Sequence, residues 1–84
     1  MTSRRRLYEK AAGAPTNTSF SDLEALLRAF GFVRKRQRGS PVIYCHPSRP
    51  GSLVNVQNVG GKAKAYQVRQ VLRLLDELGL VEEA

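Results

Sequence analysis

Few side chains in this sequence can move a proton or attack an electrophile near neutral pH. Its 84 residues include one histidine, His46, and one cysteine, Cys45. Histidine titrates closest to working pH, which makes His46 the evident acid–base candidate. Its place before Pro47 equally fits a surface or turn histidine. Cys45 has no acid–base neighbour in sequence, which argues against a reactive thiol. One His and one Cys cannot build a structural zinc site, so no metal is expected, and no cofactor is expected either. Gly60-Gly61-Lys62 faintly resembles a phosphate loop, but the Walker spacing is missing and no hydroxyl follows the lysine. Two readings of it stand. Backbone N–H groups and the following helix N-terminus could hold a phosphate with help from Lys62 and Lys64, or the segment is a plain flexible loop. Tyr44 and Tyr66 read as packing groups with a polar tip.

Positive charge is abundant where reactive groups are scarce. Fourteen Lys and Arg stand against seven Asp and Glu, a net charge of +7. Between Arg34 and Lys64 the basic residues are Arg34, Lys35, Arg36, Arg38, Arg49, Lys62 and Lys64, and no acidic residue interrupts them. A block of one sign across the middle of a small chain makes a field that recruits polyanions, nucleic acid above all. The competing reading is a solvated face that keeps the chain in solution. Arg4, Arg5 and Arg6 carry the same two readings, phosphate contact or solvation.

An isolated cysteine excludes an internal disulfide and suits a reducing cytosol. No apolar run approaches the roughly 20 residues of a membrane span. The basic N-terminus is not followed by the apolar segment of a secretion signal. The expected location is cytoplasmic, with no membrane partner.

The elements that must position these groups follow from periodicity. The length fits one domain. Residues 1–18 form a basic flexible arm or a short helix over Leu7 to Ala12, stopped by Gly13 and Pro15; residues 19–84 form the domain proper. Ser21-Asp22-Leu23-Glu24 has the form of a capping box, and Phe20, Leu23, Leu26, Leu27 and Phe30 recur at helical spacing up to Gly31. This predicts a helix over 21–30. Strands are predicted over 32–37, 41–46 and 52–57, with a hairpin loop at Arg38-Gly39-Ser40 and a turn over 47–51. In the last strand Val54 and Val56 face inward, and Asn55 and Gln57 face away. Residues 58–63 read as a flexible connection. A second helix is predicted over 64–78, burying Val68, Val71, Leu72, Leu75 and Leu78 and exposing Gln67, Arg69, Gln70 and Arg73. Gly79 ends it, and residues 80–84 are a tail. The order helix, three strands, helix gives an α+β two-layer sandwich with one sheet face covered by helices and the other open.

Several of these segments together resemble a known family. Ser21-Asp22-Leu23-Glu24 leading to Phe30-Gly31-Phe32, then Gly39-Ser40-Pro41-Val42-Ile43-Tyr44 with His46-Pro47, resembles the HicA family. Its members show a Gly-Ser-His segment, an apolar-aromatic strand and commonly a His-Pro pair. Asn55-Val56-Gln57-Asn58 and the run from Lys62 to Gln70 resemble a longer HicA-like subgroup. The resemblance spans residues 20–78. It implies an α-β-β-β-α fold similar to a double-stranded-RNA-binding domain. It also implies the toxin of a type II toxin–antitoxin pair, an endoribonuclease that cleaves mRNA without a metal and is silenced by a HicB-like antitoxin.

Such cleavage needs a base that takes the proton of a ribose 2′-OH, and cations that stabilise the charge on phosphorus. By the resemblance, the family's catalytic histidine falls on Pro41, which has no titratable group. Either the chain is an inactive relative, natural or selected, or another residue acts. His46 lies five residues beyond Pro41, on the opposite face of a regular strand and roughly 16 Å away. There the surface or turn reading outweighs the catalytic one. RNA contact is expected from Arg34, Arg36, Arg38, Lys62 and Lys64, with Ser40 beside the family's active centre. The alternative is a basic interaction module that binds an acidic antitoxin-like protein or structured RNA without catalysis. Double-stranded DNA binding ranks last, because no groove-reading helix is recognisable.

Overall fold

A computed structural model describes residues 3–35 and 41–82 of the chain. Helices α1 (Arg4–Gly13), α2 (Phe20–Ala29) and α3 (Ala65–Glu77) accompany strands β1 (Val33–Arg34), β2 (Val42–His46) and β3 (Arg49–Val56), which form an antiparallel sheet in the order β1-β2-β3. Strands β4 (Asn58–Val59) and β5 (Lys62–Ala63) make a separate small hairpin. The fold is the α+β arrangement read from the sequence, compatible with a double-stranded-RNA-binding-like sandwich.

The two periodicities meet in one core. Helix α2 buries Phe20, Leu23, Leu26 and Leu27, and α3 buries Val68, Val71 and Leu75. The sheet contributes Val42, Tyr44, Val54 and Val56 to the same cluster. Antiparallel register sets Val42 against Val56 and Tyr44 against Val54, so these four share the helix-covered face. On the other face Val33 and Leu53 stay more than half exposed, and Asn55 is exposed as its alternation requires. Leu72 and Leu78 are only partly buried.

Helix α1 lies over this core, with Ala11 buried and Leu7 and Tyr8 packed against the cluster. It is fixed at both ends of its inner face. The Tyr8 hydroxyl donates to Asp76 of α3 at 3.1 Å, and the Lys10 ammonium pairs with Asp22 of α2 at 3.1 Å.

Helices α2 and α3 end alike. Gly31 (φ +89°) and Gly79 (φ +70°) adopt the left-handed conformation that closes a helix with little strain. Behind Gly31, the Gly31 and Phe32 amides donate to the Arg28 and Leu27 carbonyls; behind Gly79, the Gly79 and Leu80 amides donate to Asp76 and Leu75. Each pair is a Schellman closure that satisfies otherwise orphaned carbonyls. Leu80 and Val81 then pack on the core, so this part of the predicted tail is structured.

Several local expectations are corrected. The cap of α2 is Ser19, whose Oγ accepts from the Asp22 amide at 3.0 Å, and not Ser21. Starting the helix at Phe20 carries that ring into the core, and Glu24 is released for a different partner. The first strand is shorter than predicted, although Lys35 N–H still donates to the Ile43 carbonyl at 2.7 Å. Residues 36 and 37 and the Arg38-Gly39-Ser40 loop lie outside the described residues. The second strand starts at Val42, directly after Pro41.

The turn after β2 is confined to Pro47 and Ser48, since Arg49, Pro50 and Gly51 already belong to β3. That strand is an edge of the sheet, where a proline costs no internal ladder bond. Residues 58–63 are an ordered hairpin and not a flexible connection. Gly60 (φ +60°) and Gly61 (φ +89°) supply the two left-handed positions of a two-residue turn. The hairpin is also stitched to α2, for Phe20 N–H donates to the Gly61 carbonyl and Ala63 N–H to the Thr18 carbonyl.

Candidate nucleic-acid interface

The described cations predicted to meet RNA, Arg34, Lys62 and Lys64, occupy two regions, and an acid from outside the acid-free stretch reaches one of them, Arg34. Arg34, on β1, points to the helix side of the sheet beside Tyr44, its register partner. Its Nη1 lies 3.9 Å from Glu24 Oε2, a carboxylate whose side chain is 16% exposed. Arg28 approaches the same oxygen at 4.0 Å. Tyr44, fully buried, donates its hydroxyl to that oxygen at 2.7 Å. Burial, then the hydrogen bond and charge of Glu24, push the Tyr44 phenol above its ordinary pKa, with Arg28 pulling weakly the other way. Tyr44 is therefore a fixed donor and no base. Glu24 restrains Arg34 at the sheet edge, which lessens the side-chain entropy a guanidinium loses on meeting a phosphate. Arg49, from the same acid-free stretch, pairs with Glu77 of α3 at 3.4 Å.

Lys62 and Lys64 form the second region, around the β4–β5 hairpin. Lys62 is exposed on β5, and its Nζ donates to Asn17 Oδ1 at 3.4 Å. Lys64 is the residue that caps α3, with its Nζ 6.0 Å from the centre of the Tyr66 ring. The Gly61 amide is already used, donating to Asn58 Oδ1 at 2.7 Å. Gly60-Gly61 is thus an ordered turn, not the flexible loop that is one of its two sequence readings, and its Gly61 N–H is bonded within the hairpin. Arg36, Arg38 and Ser40 lie outside the described residues. Pro41 is half-buried just before β2.

His46 sits at the far end of β2 and joins two elements. Its Nε2 is 3.0 Å from the Phe30 carbonyl, which can only accept, so Nε2 carries the proton. Nδ1 then accepts, from the Ser48 amide at 3.1 Å and the Ser48 hydroxyl at 2.7 Å. The ring stands edge-on to Phe32, centroids 5.1 Å apart. A Cβ on Gly31 would come within 3.3 Å of Nε2. Both ring nitrogens thus have partners within the protein, and the side chain clamps the end of α2 to the β2–β3 turn.

Three residues behave differently from their sequence reading. Glu24 does not cap its helix. Gln67, predicted exposed, is 3% exposed. Its Oε1 accepts from the Gln57 amide at 2.8 Å and its Nε2 donates to Gln57 Oε1 at 3.2 Å. Positions 67, 71 and 75 lie on one helical line, and that spacing was the available signal. Tyr66, read as a packing group, keeps 53% of its surface exposed.

A protein-family model described as HicA toxin of bacterial toxin–antitoxin matches residues 20–80. The matched stretch runs from the first residue of α2 past the end of α3, so it holds the whole sheet and omits α1. No curated protein and no solved structure matches the chain significantly. Among the described residues, no helix is long and apolar enough to cross a membrane.

Proposed function

The chain belongs to the HicA toxin family, the toxin side of bacterial toxin–antitoxin pairs, and on that premise we propose that it binds mRNA through its cationic surface without cutting it. The observation that carries this is the pairing of an acid-free basic stretch, Arg34 to Lys64, with a proline at position 41. The cations supply what a polyphosphate needs. A base for the 2′-OH is missing at the place where the family resemblance puts it, and the ring nitrogens of His46 are engaged elsewhere. Arg34, Arg36, Arg38, Lys62 and Lys64 contact phosphates, with Ser40 beside them, and residues 19–84 carry the binding. The partner that silences the toxin is a HicB-like antitoxin, and both act in the cytoplasm.

A second reading has one observation in its favour. Val33 and Leu53 leave apolar surface on the uncovered sheet face, which suits a protein partner better than RNA. In that case the surface would serve an antitoxin alone.

Fluorescence anisotropy with a labelled structured RNA separates the two. For about five neutralised phosphates, raising salt from about 50 to about 200 mM should weaken binding on the order of a few hundred-fold. No detectable affinity at the lower salt would leave only the protein-binding module.

A further inference from the structure

Tyr66 is the second residue of α3, and its ring is both exposed and restrained. The restraint comes from its polar tip. Gln67 Nε2 donates to the Tyr66 hydroxyl at 3.2 Å. Gln67 is itself buried and bonded twice to Gln57, the residue after β3. On one side of the ring stands a cation, the Lys64 ammonium, 6.0 Å from its centre.

The sheet register says where this ring is. Val42 pairs with Val56, so Pro41 and Gln57 are the next residues along the two strands. Gln57 is bonded to Gln67 and Gln67 to the Tyr66 hydroxyl, so Tyr66 is tied to the end of the sheet at which position 41 also lies. An exposed tyrosine alone would be unremarked on any protein surface. A tyrosine pinned by a buried amide and flanked by a lysine is a pre-ordered flat surface with a cation beside it.

We propose that Tyr66 is a stacking platform for one unpaired nucleobase of the bound RNA, with Lys64 contacting the adjoining phosphate, at the end of the sheet where position 41 lies. This rests on the RNA-binding reading above. An unpaired base is required because bases inside a duplex already have both faces stacked. Base–aromatic stacking is tolerant of sequence, and its loss typically weakens binding by about 10-fold or more per base.

The chain has no tryptophan, so Tyr66→Trp installs a single reporter. Its emission should be quenched by a hairpin RNA with an unpaired loop, and much less by the same hairpin whose loop riboses carry no bases. In the otherwise unaltered chain, Tyr66→Leu should weaken binding of the first RNA by about 10-fold and of the second by less than about 2-fold. If the unaltered chain binds RNA and Tyr66→Leu binds each hairpin as tightly as the unaltered chain does, the platform is refuted and RNA binding stands. If the unaltered chain binds neither RNA at low salt, both proposals fall.

Discussion

Replacing Pro41 with histidine is expected to turn the chain into a metal-independent ribonuclease. Position 41 directly precedes β2, whose first residue pairs with the last of β3, so it stands at the end of the sheet from which the Gln57–Gln67–Tyr66 network extends. Pro41 has no N–H and donates no ladder bond, so its replacement adds a backbone donor without removing one. An imidazole can accept the 2′-OH proton near neutral pH, and a positioned base typically accelerates such a step by about 100-fold to 10,000-fold. Pro41→His should therefore cleave RNA at least about 100-fold faster than the unaltered chain. Chelators should not affect the activity, and it should fall as pH drops below about 6.5, where an ordinary histidine takes up its proton. Pro41→Asn, of similar polarity but without a base, is the control and should stay inactive. A folded Pro41→His variant that leaves RNA intact would mean that more than the base is missing. Cleavage by Pro41→Asn would place the base elsewhere.

The second large effect concerns stability. Gly31→Ala puts a side chain on a left-handed residue (φ +89°) and brings a Cβ to 3.3 Å from His46 Nε2. The backbone term alone costs about 1–2 kcal/mol. Displacing the imidazole also disturbs its bond to the Phe30 carbonyl, which adds about 1 kcal/mol. The expected total of about 2–3 kcal/mol lowers Tm by roughly 10–20 °C in a domain of this size. His46→Ala should remove part of that penalty, since the two residues press on each other. The double variant should then be less destabilised than the two single changes added together. Strict additivity in thermal melts would show that the clamp and the helix closure are independent.

The regular parts of this fold were legible because each rests on a period. The stripe from Phe20 to Phe30 and the one from Val68 to Leu75 fix two amphipathic helices, and Val54 with Val56 fixes the inner face of the last strand. What was not legible depends on contacts between elements. Glu24 fits a capping box locally, yet Ser19 caps the helix and Glu24 turns to Tyr44, twenty residues away in sequence. The stretch from Arg34 to Lys64 is acid-free along the chain and not in space, because Glu24 reaches Arg34 and Glu77 reaches Arg49. Composition therefore overstates the uniformity of the cationic surface.

Glycine is locally ambiguous as well. Gly31 and Gly79 were read as helix stops because each follows an apolar stripe. Gly60-Gly61 follows no such stripe and reads locally as flexible, although two adjacent glycines are also what a tight hairpin needs. Gln67 was assigned to solvent by residue type against its own helical spacing, and with it the placement of Tyr66 was lost. The family resemblance added the significance of position 41, which neither charge nor periodicity reveals.

Binding without cleavage is the centre of this account, and one experiment addresses it. The unaltered chain is incubated at low salt with a labelled mRNA fragment at concentrations that saturate binding, and the RNA is then resolved on a denaturing gel. The RNA should be bound throughout and recovered at full length after hours. Fragments whose yield grows with time and protein, or RNA that never binds, would contradict it.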